Sequence, residues 1–166
     1  MLFRSASLNP FAAKFAVKGF SEALITDLRI NAPHIKCSVV MPGHIGTSIV
    51  SNSRKLQNGS DRLNDSEIAL TRIRLKASGI EGAETMSDED IQGLAAERAR
   101  SFLENAPTTA AQAAKIILDG VKAGTWRILV GEDAHKLDQR VRQAPENAYA
   151  PEFYKSFAEE VGWRLG

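Results

Sequence analysis

Apolar and polar positions follow two rhythms along this chain. From about Phe11 the period is helical. Phe15, Gly19, Ala23 and Thr26 share one face, and Phe20, Leu24 and Leu28 form an adjacent stripe. Asn31-Ala32-Pro33 ends that helix, because a proline disfavours the helical conformation in the residue before it. Ile35 to Met41 then reads as a strand with 35, 37, 39 and 41 on one face. Val40 on the opposite face predicts burial on both sides, as in a parallel sheet. Pro42-Gly43 stops the strand.

A long segment follows, from His44 to about Pro107. It is too long for a simple connection. Its first part, through Asn64, is polar and rich in Ser and Asn, and carries no clear period. A weakly periodic helix is expected over 65–77 and a better-marked one over 88–104. In the second, Ser87 and Asp90 have capping-box spacing, and Ile91, Leu94, Ala95, Arg98 and Phe102 keep a helical interval. Thr109 and Gln112 form another capping pair. They open a helix containing Ala113, Ile117 and Val121, closed by Gly124. Trp126–Val130 is a second strand, stopped by Gly131, and helices follow at about 133–143 and 151–161. A strand, a helix and a second strand in this order predict an α/β fold with a parallel sheet. The 166 residues suffice for one domain, with 44–107 as a long insert.

Composition narrows the function classes. Apolar residues make up 43% and charged residues 25%, and the formal net charge is +1. No field of one sign is available to draw in nucleic acid or an anionic membrane. No apolar run has the length of a membrane span. The single cysteine, Cys37, has no internal partner for a disulfide, and a cytoplasmic location is expected. His34, His44 and His135 have no metal-ligand spacing, so no metal site is expected.

Candidate chemistry lies in two motifs. The stretch Ala13-Lys14-Phe15-Ala16-Val17-Lys18-Gly19-Phe20-Ser21-Glu22-Ala23-Leu24 resembles the helix that follows the catalytic tyrosine in short-chain dehydrogenases/reductases. Pro42-Gly43-His44-Ile45-Gly46-Thr47 resembles the Pro-Gly turn and later threonine that this family carries after its next strand. Each motif alone is weak; their order and spacing give them weight. The resemblance runs from about Pro10 to Val130, and the tail from Gly131 looks like that of some bacterial members. It implies a Rossmann-like parallel sheet with flanking helices and hydride transfer between NAD or NADP and an alcohol or carbonyl substrate. Lys14 would lower the tyrosine pKa and bind the nicotinamide ribose. Pro42, Gly43, Ile45 and Thr47 would contact the cofactor. The family self-associates through this first helix, so 11–30 is the implied surface for a homo-oligomer.

The sequence departs from the pattern in two places. Pro10 stands four residues before Lys14, where the tyrosine should be; with one residue lost locally, Phe11 takes that place. Neither side chain has an ionisable hydroxyl. The family's polarising serine should lie upstream of Met1, since Ser5 and Ser7 are too near Lys14 to occupy a separate strand. No Gly-x-Gly occurs anywhere, so the cradle for a dinucleotide pyrophosphate is absent. The resemblance therefore implies the C-terminal part of such a fold, with the N-terminal nucleotide-binding half missing. The chain alone is expected to be inactive and not to hold NAD or NADP. The alternative expectation is a truncated remnant, or a module that binds partners without catalysis. The substrate, the choice between NAD and NADP and the reaction direction do not follow from the sequence.

Overall fold

The computed structural model describes residues 8–163, with side chains for 12–150 and 152–163. It is an α/β structure in which helices predominate and short strands pair in parallel. The chain divides into two compact units. The first comprises residues up to Gly43 together with Ala111–Val130; the second comprises His44–Ala110 and the segment from Gly131.

In the first unit, α1 (Leu8–Asn31) leads into β1 (Val39–Pro42), and α5 (Ala110–Lys122) leads into β4 (Arg127–Val130). Strands β1 and β4 pair in parallel, in register from Val39–Arg127 to Pro42–Val130. Both expected strands therefore exist and are neighbours. The first is shorter than its 35–41 pattern, because its partner begins only at Arg127. Ahead of the ladder, Val39 N–H donates to Trp126 O at 2.6 Å, and Ser38 Oγ donates to Thr125 O at 2.8 Å. Helix α5 lies close to β4 at Gly120, where a Cβ would stand 2.8 Å from Ile128 Cδ1. Gly124, at φ +68°, turns the chain out of that helix.

Burial in this sheet is uneven. Val39, Ile128 and Val130 are buried, as is Ile25 on α1, which packs along β1. Val40 was expected to be buried and is 37% exposed. It sits in register with Ile128, yet the cover that α5 gives Ile128 does not extend one strand further out. Among the described residues β1 and β4 form a sheet of two strands.

The second unit contains the long segment, and its polar opening is helical. Helix α2 (Ile49–Asn58) buries no residue and ends at Gly59, whose φ of +73° suits a left-handed cap. Helix α3 (Asp65–Ala77) opens with a full capping box: Glu67 N–H donates to Asn64 Oδ1 at 3.0 Å, and Asn64 N–H donates to Glu67 Oε2 at 2.9 Å. Such a cap contributes about 1 kcal/mol. Helix α4 (Asp88–Glu104) starts at Ser87, whose hydroxyl accepts from Asp90 N–H as its spacing predicts. Leu63, Ile68 and Ile91 make a small core, with Met86 and Ala95 packed against it. The Gln92 side-chain amide clamps the Leu63 backbone in both directions, at 2.9 and 2.7 Å.

Also in this unit, β2 (Ile45–Gly46) pairs in parallel with β3 (Thr108–Thr109). Helices α6 (Glu132–Gln143) and α7 (Pro151–Val161) follow, on either side of a short 3-10 turn at Pro145–Asn147. Phe157 is fully buried, Trp163 meets its ring edge-on at 5.3 Å, and the Arg140 guanidinium lies 4.9 Å over the Phe153 ring. No helix among the described residues is long and apolar enough to cross a membrane.

Candidate functional site around the Pro-Gly turn

The motif residues fall in both units. In the first, Lys14 is exposed on α1. Pro10 and Phe11 belong to the first turns of the same helix, with side chains outside the described set. Pro42 is the last residue of β1 and is exposed at the carboxyl end of a parallel strand. Gly43 follows, and its N–H donates to Val130 O at 2.9 Å, tying the turn to the end of β4. Carboxyl ends of parallel strands are where open α/β sheets bind ligands.

In the second unit, His44, Ile45, Gly46 and Thr47 are all partly buried. His44 N–H donates to Asp133 Oδ2 at 2.6 Å. Its Nε2 lies 2.8 Å from Phe102 O; a carbonyl only accepts, so the ring proton is on Nε2. The imidazole also rests on the Phe102 ring, with centroids 4.2 Å apart. Gly46 faces the end of α4: a Cβ there would come within 2.6 Å of Leu103 O, so only glycine fits without movement. The backbone and the ring of His44 are thus both held within this unit. No group of three or more His, Cys, Asp or Glu could hold a metal among the described residues.

Asp133 was missed by sequence reasoning. It is 3% exposed. Besides His44 N–H, its Oδ2 accepts from Trp163 Nε1–H at 3.1 Å, and its Oδ1 accepts from Ala134 N–H at 2.9 Å. A buried carboxylate without partners costs several kcal/mol; three N–H donors and the start of α6 offset that here. Gly131 makes the approach feasible. Its φ is +102°, and a Cβ would stand 2.5 Å from Asp133 Oδ1 and 3.0 Å from Thr108 Oγ1. From the sequence, an acid after Gly131-Glu132 signals only a helix start. Its partners at positions 44 and 163 leave no local trace.

Some of the backbone donors at this turn are already engaged. The Gly43 and His44 N–H groups, which a bound cofactor could use, already donate within the protein, and the space beside Gly46 is taken by Leu103 O. No glycine-rich strand-to-helix turn cradles a pyrophosphate among the described residues. Lys115 on α5 is fully exposed, and its hydrogen bond to Asp119 holds it above the usual lysine range; it is a surface pair of one helix.

No family model matches the chain, and no solved structure matches it. It is similar to two curated proteins, each named "Putative oxidoreductase SadH", from Mycobacterium tuberculosis strains CDC 1551 / Oshkosh and ATCC 25618 / H37Rv. Each is 28% identical over 131 residues, covering 79% of this chain and 36% of the relative. The chain therefore spans about a third of the length of the curated relatives it matches.

Proposed function

We propose that this chain is the C-terminal part of a nicotinamide-dependent oxidoreductase of the short-chain dehydrogenase/reductase type, acting on an alcohol or carbonyl substrate. The observation that carries this reading is the parallel pairing of β1 with β4 behind the Lys14 helix, with Pro42-Gly43 at the carboxyl end of β1. The similarity to proteins named as oxidoreductases supports it. In this reading Lys14, Pro42, Gly43, Ile45 and Thr47 belong to the nicotinamide end of a site. Its pyrophosphate cradle and its proton-transferring hydroxyl come from residues this sequence does not contain.

The test is a fusion. The N-terminal half of a short-chain dehydrogenase, with its glycine-rich turn, is joined ahead of Lys14 so that its tyrosine stands four residues before it. The fusion is expected to enhance NADH or NADPH fluorescence, and Lys14→Ala and Thr47→Ala to weaken that binding. A folded fusion that binds neither dinucleotide, or binds equally after both substitutions, overturns the proposal. The unfused chain is expected to show no saturable micromolar binding by calorimetry.

A second reading, a non-catalytic self-association module, is favoured by α1 itself. Phe15, Val17, Phe20 and Ile30 are 61%, 65%, 70% and 76% exposed along that helix. Sedimentation across a concentration series tests this self-association, and dinucleotide binding by the fusion separates the two readings.

A further inference from the structure

A single carboxylate oxygen links two segments far apart in sequence. Asp133 Oδ2 accepts from the N–H of His44, the residue after the Pro42-Gly43 turn, and from the indole Nε1–H of Trp163, beyond α7. The other oxygen is fixed by Ala134 N–H, which sets the side-chain rotamer. Gly131 leaves the space this rotamer needs. On the far side of His44, the ring is held by Phe102 O and the Phe102 ring. Trp163 is itself held by Phe157, a fully buried residue of α7.

We infer that Asp133 is a positioning residue: it fixes the backbone of the segment His44–Thr47, and Trp163 completes it, so that the C-terminal helix controls the conformation of the chain after the Pro-Gly turn. A helix-start role alone requires only the bond to Ala134 N–H. The two donors on Oδ2 come from outside α6, and a cap has no use for them. The burial of Asp133 also keeps water from substituting for either donor. This inference concerns the backbone of the chain itself and does not depend on which ligand, if any, the segment meets.

The experiment uses the whole chain carrying Trp126→Phe, which leaves Trp163 as its only tryptophan. Residue-resolved amide exchange is followed at His44–Thr47 and, as an internal reference, at Ile91 in α4. Asp133→Asn is expected to shift Trp163 emission and to speed exchange at His44 by about tenfold relative to Ile91. In the same chain, Trp163→Phe keeps an aromatic ring but removes the indole donor. It is expected to speed His44 exchange by about threefold, again relative to Ile91. Phe157→Leu loosens the packing that holds Trp163 but keeps its indole donor, and is expected to raise the His44-to-Ile91 ratio by clearly less than Trp163→Phe does. Should Asp133→Asn fail to fold, Trp163→Phe and Phe157→Leu still decide the matter. Unchanged His44 exchange in Trp163→Phe, or an equal rise in Phe157→Leu, overturns the inference. Asp133→Glu, which keeps the acceptor chemistry, should restore part of the protection that Asp133→Asn loses.

Discussion

The two compact units spend their apolar residues differently. In the second, Ile91 and Phe157 are fully enclosed, Ala83 and Ala158 nearly so, and Leu63, Ile68 and Leu75 are buried. Its helices carry caps, side-chain clamps and ring contacts that need nothing from outside. The first is the smaller unit and has the more regular pattern, helix to strand twice over, while Leu56, Ile73 and Tyr149 of the second are exposed as well. In the first, Ile25, Val39, Ala113, Ile128 and Val130 are buried, while Phe15, Val17, Phe20, Ile30, Val40, Leu118 and Val121 stay open. Parallel strands in water need cover on both faces, and a two-stranded pair is marginal by itself. Among the described residues, the unit with the more regular pattern is the one with the larger share of exposed large apolar residues.

The comparison is broken most directly at Phe157. Phe157→Ala should cost about 3–5 kcal/mol in urea unfolding, as for other enclosed aromatics. A loss below about 1 kcal/mol would mean that the second unit has no working core. Next comes Gly131→Ala, where the left-handed backbone alone costs about 1–3 kcal/mol and the new methyl meets Asp133 and Thr108. Thermal unfolding reads this loss, and an unchanged melting temperature would contradict the packing described around Asp133. In the first unit, Gly120→Ala sets the better helix propensity of alanine against the crowding at Ile128. A net destabilisation of about 1 kcal/mol is expected, and stabilisation would show that α5 is not held close to β4. The smallest stability change belongs to Phe20→Ser. Within about 0.5 kcal/mol the fold should not respond, yet sedimentation should move toward the monomer. Identical sedimentation before and after would remove α1 from the self-association surface.

Much of the fold was legible because it is written in local rules. Ser87 marks the start of α4, Gly124 and Gly131 bracket β4, and Pro42-Gly43 closes β1. Helices over 65–77 and 88–104 follow the expected limits. What escaped the sequence is what depends on distant partners or on cover. The polar run before Asn64 hid α2, since a helix that buries nothing has no apolar stripe to betray it. Val40 is left exposed by the described residues around its face, and the pattern of the strand alone has no means of recording that. For the candidate site, sequence order pointed to Lys14, Pro42, Gly43, Ile45 and Thr47 as candidates and gave no signal for Asp133. Its role rests on His44 and Trp163, brought together only by the folded chain.

The bond from Ser38 to Thr125 joins residues 87 positions apart, and β1 meets β4 over a similar interval. Time enters the picture through that interval. The helices of the second unit close over short loops and can form within microseconds, whereas a parallel pairing this distant waits for a large part of the chain to be placed. The strand of Val39 to Pro42 is therefore made before its partner and paired late. Throughout that delay it presents an open edge beside the apolar face of α1. The hazard lies in the order of assembly as well as in the finished surface: slow synthesis or a high concentration of nascent chains should favour pairing between molecules over pairing within one.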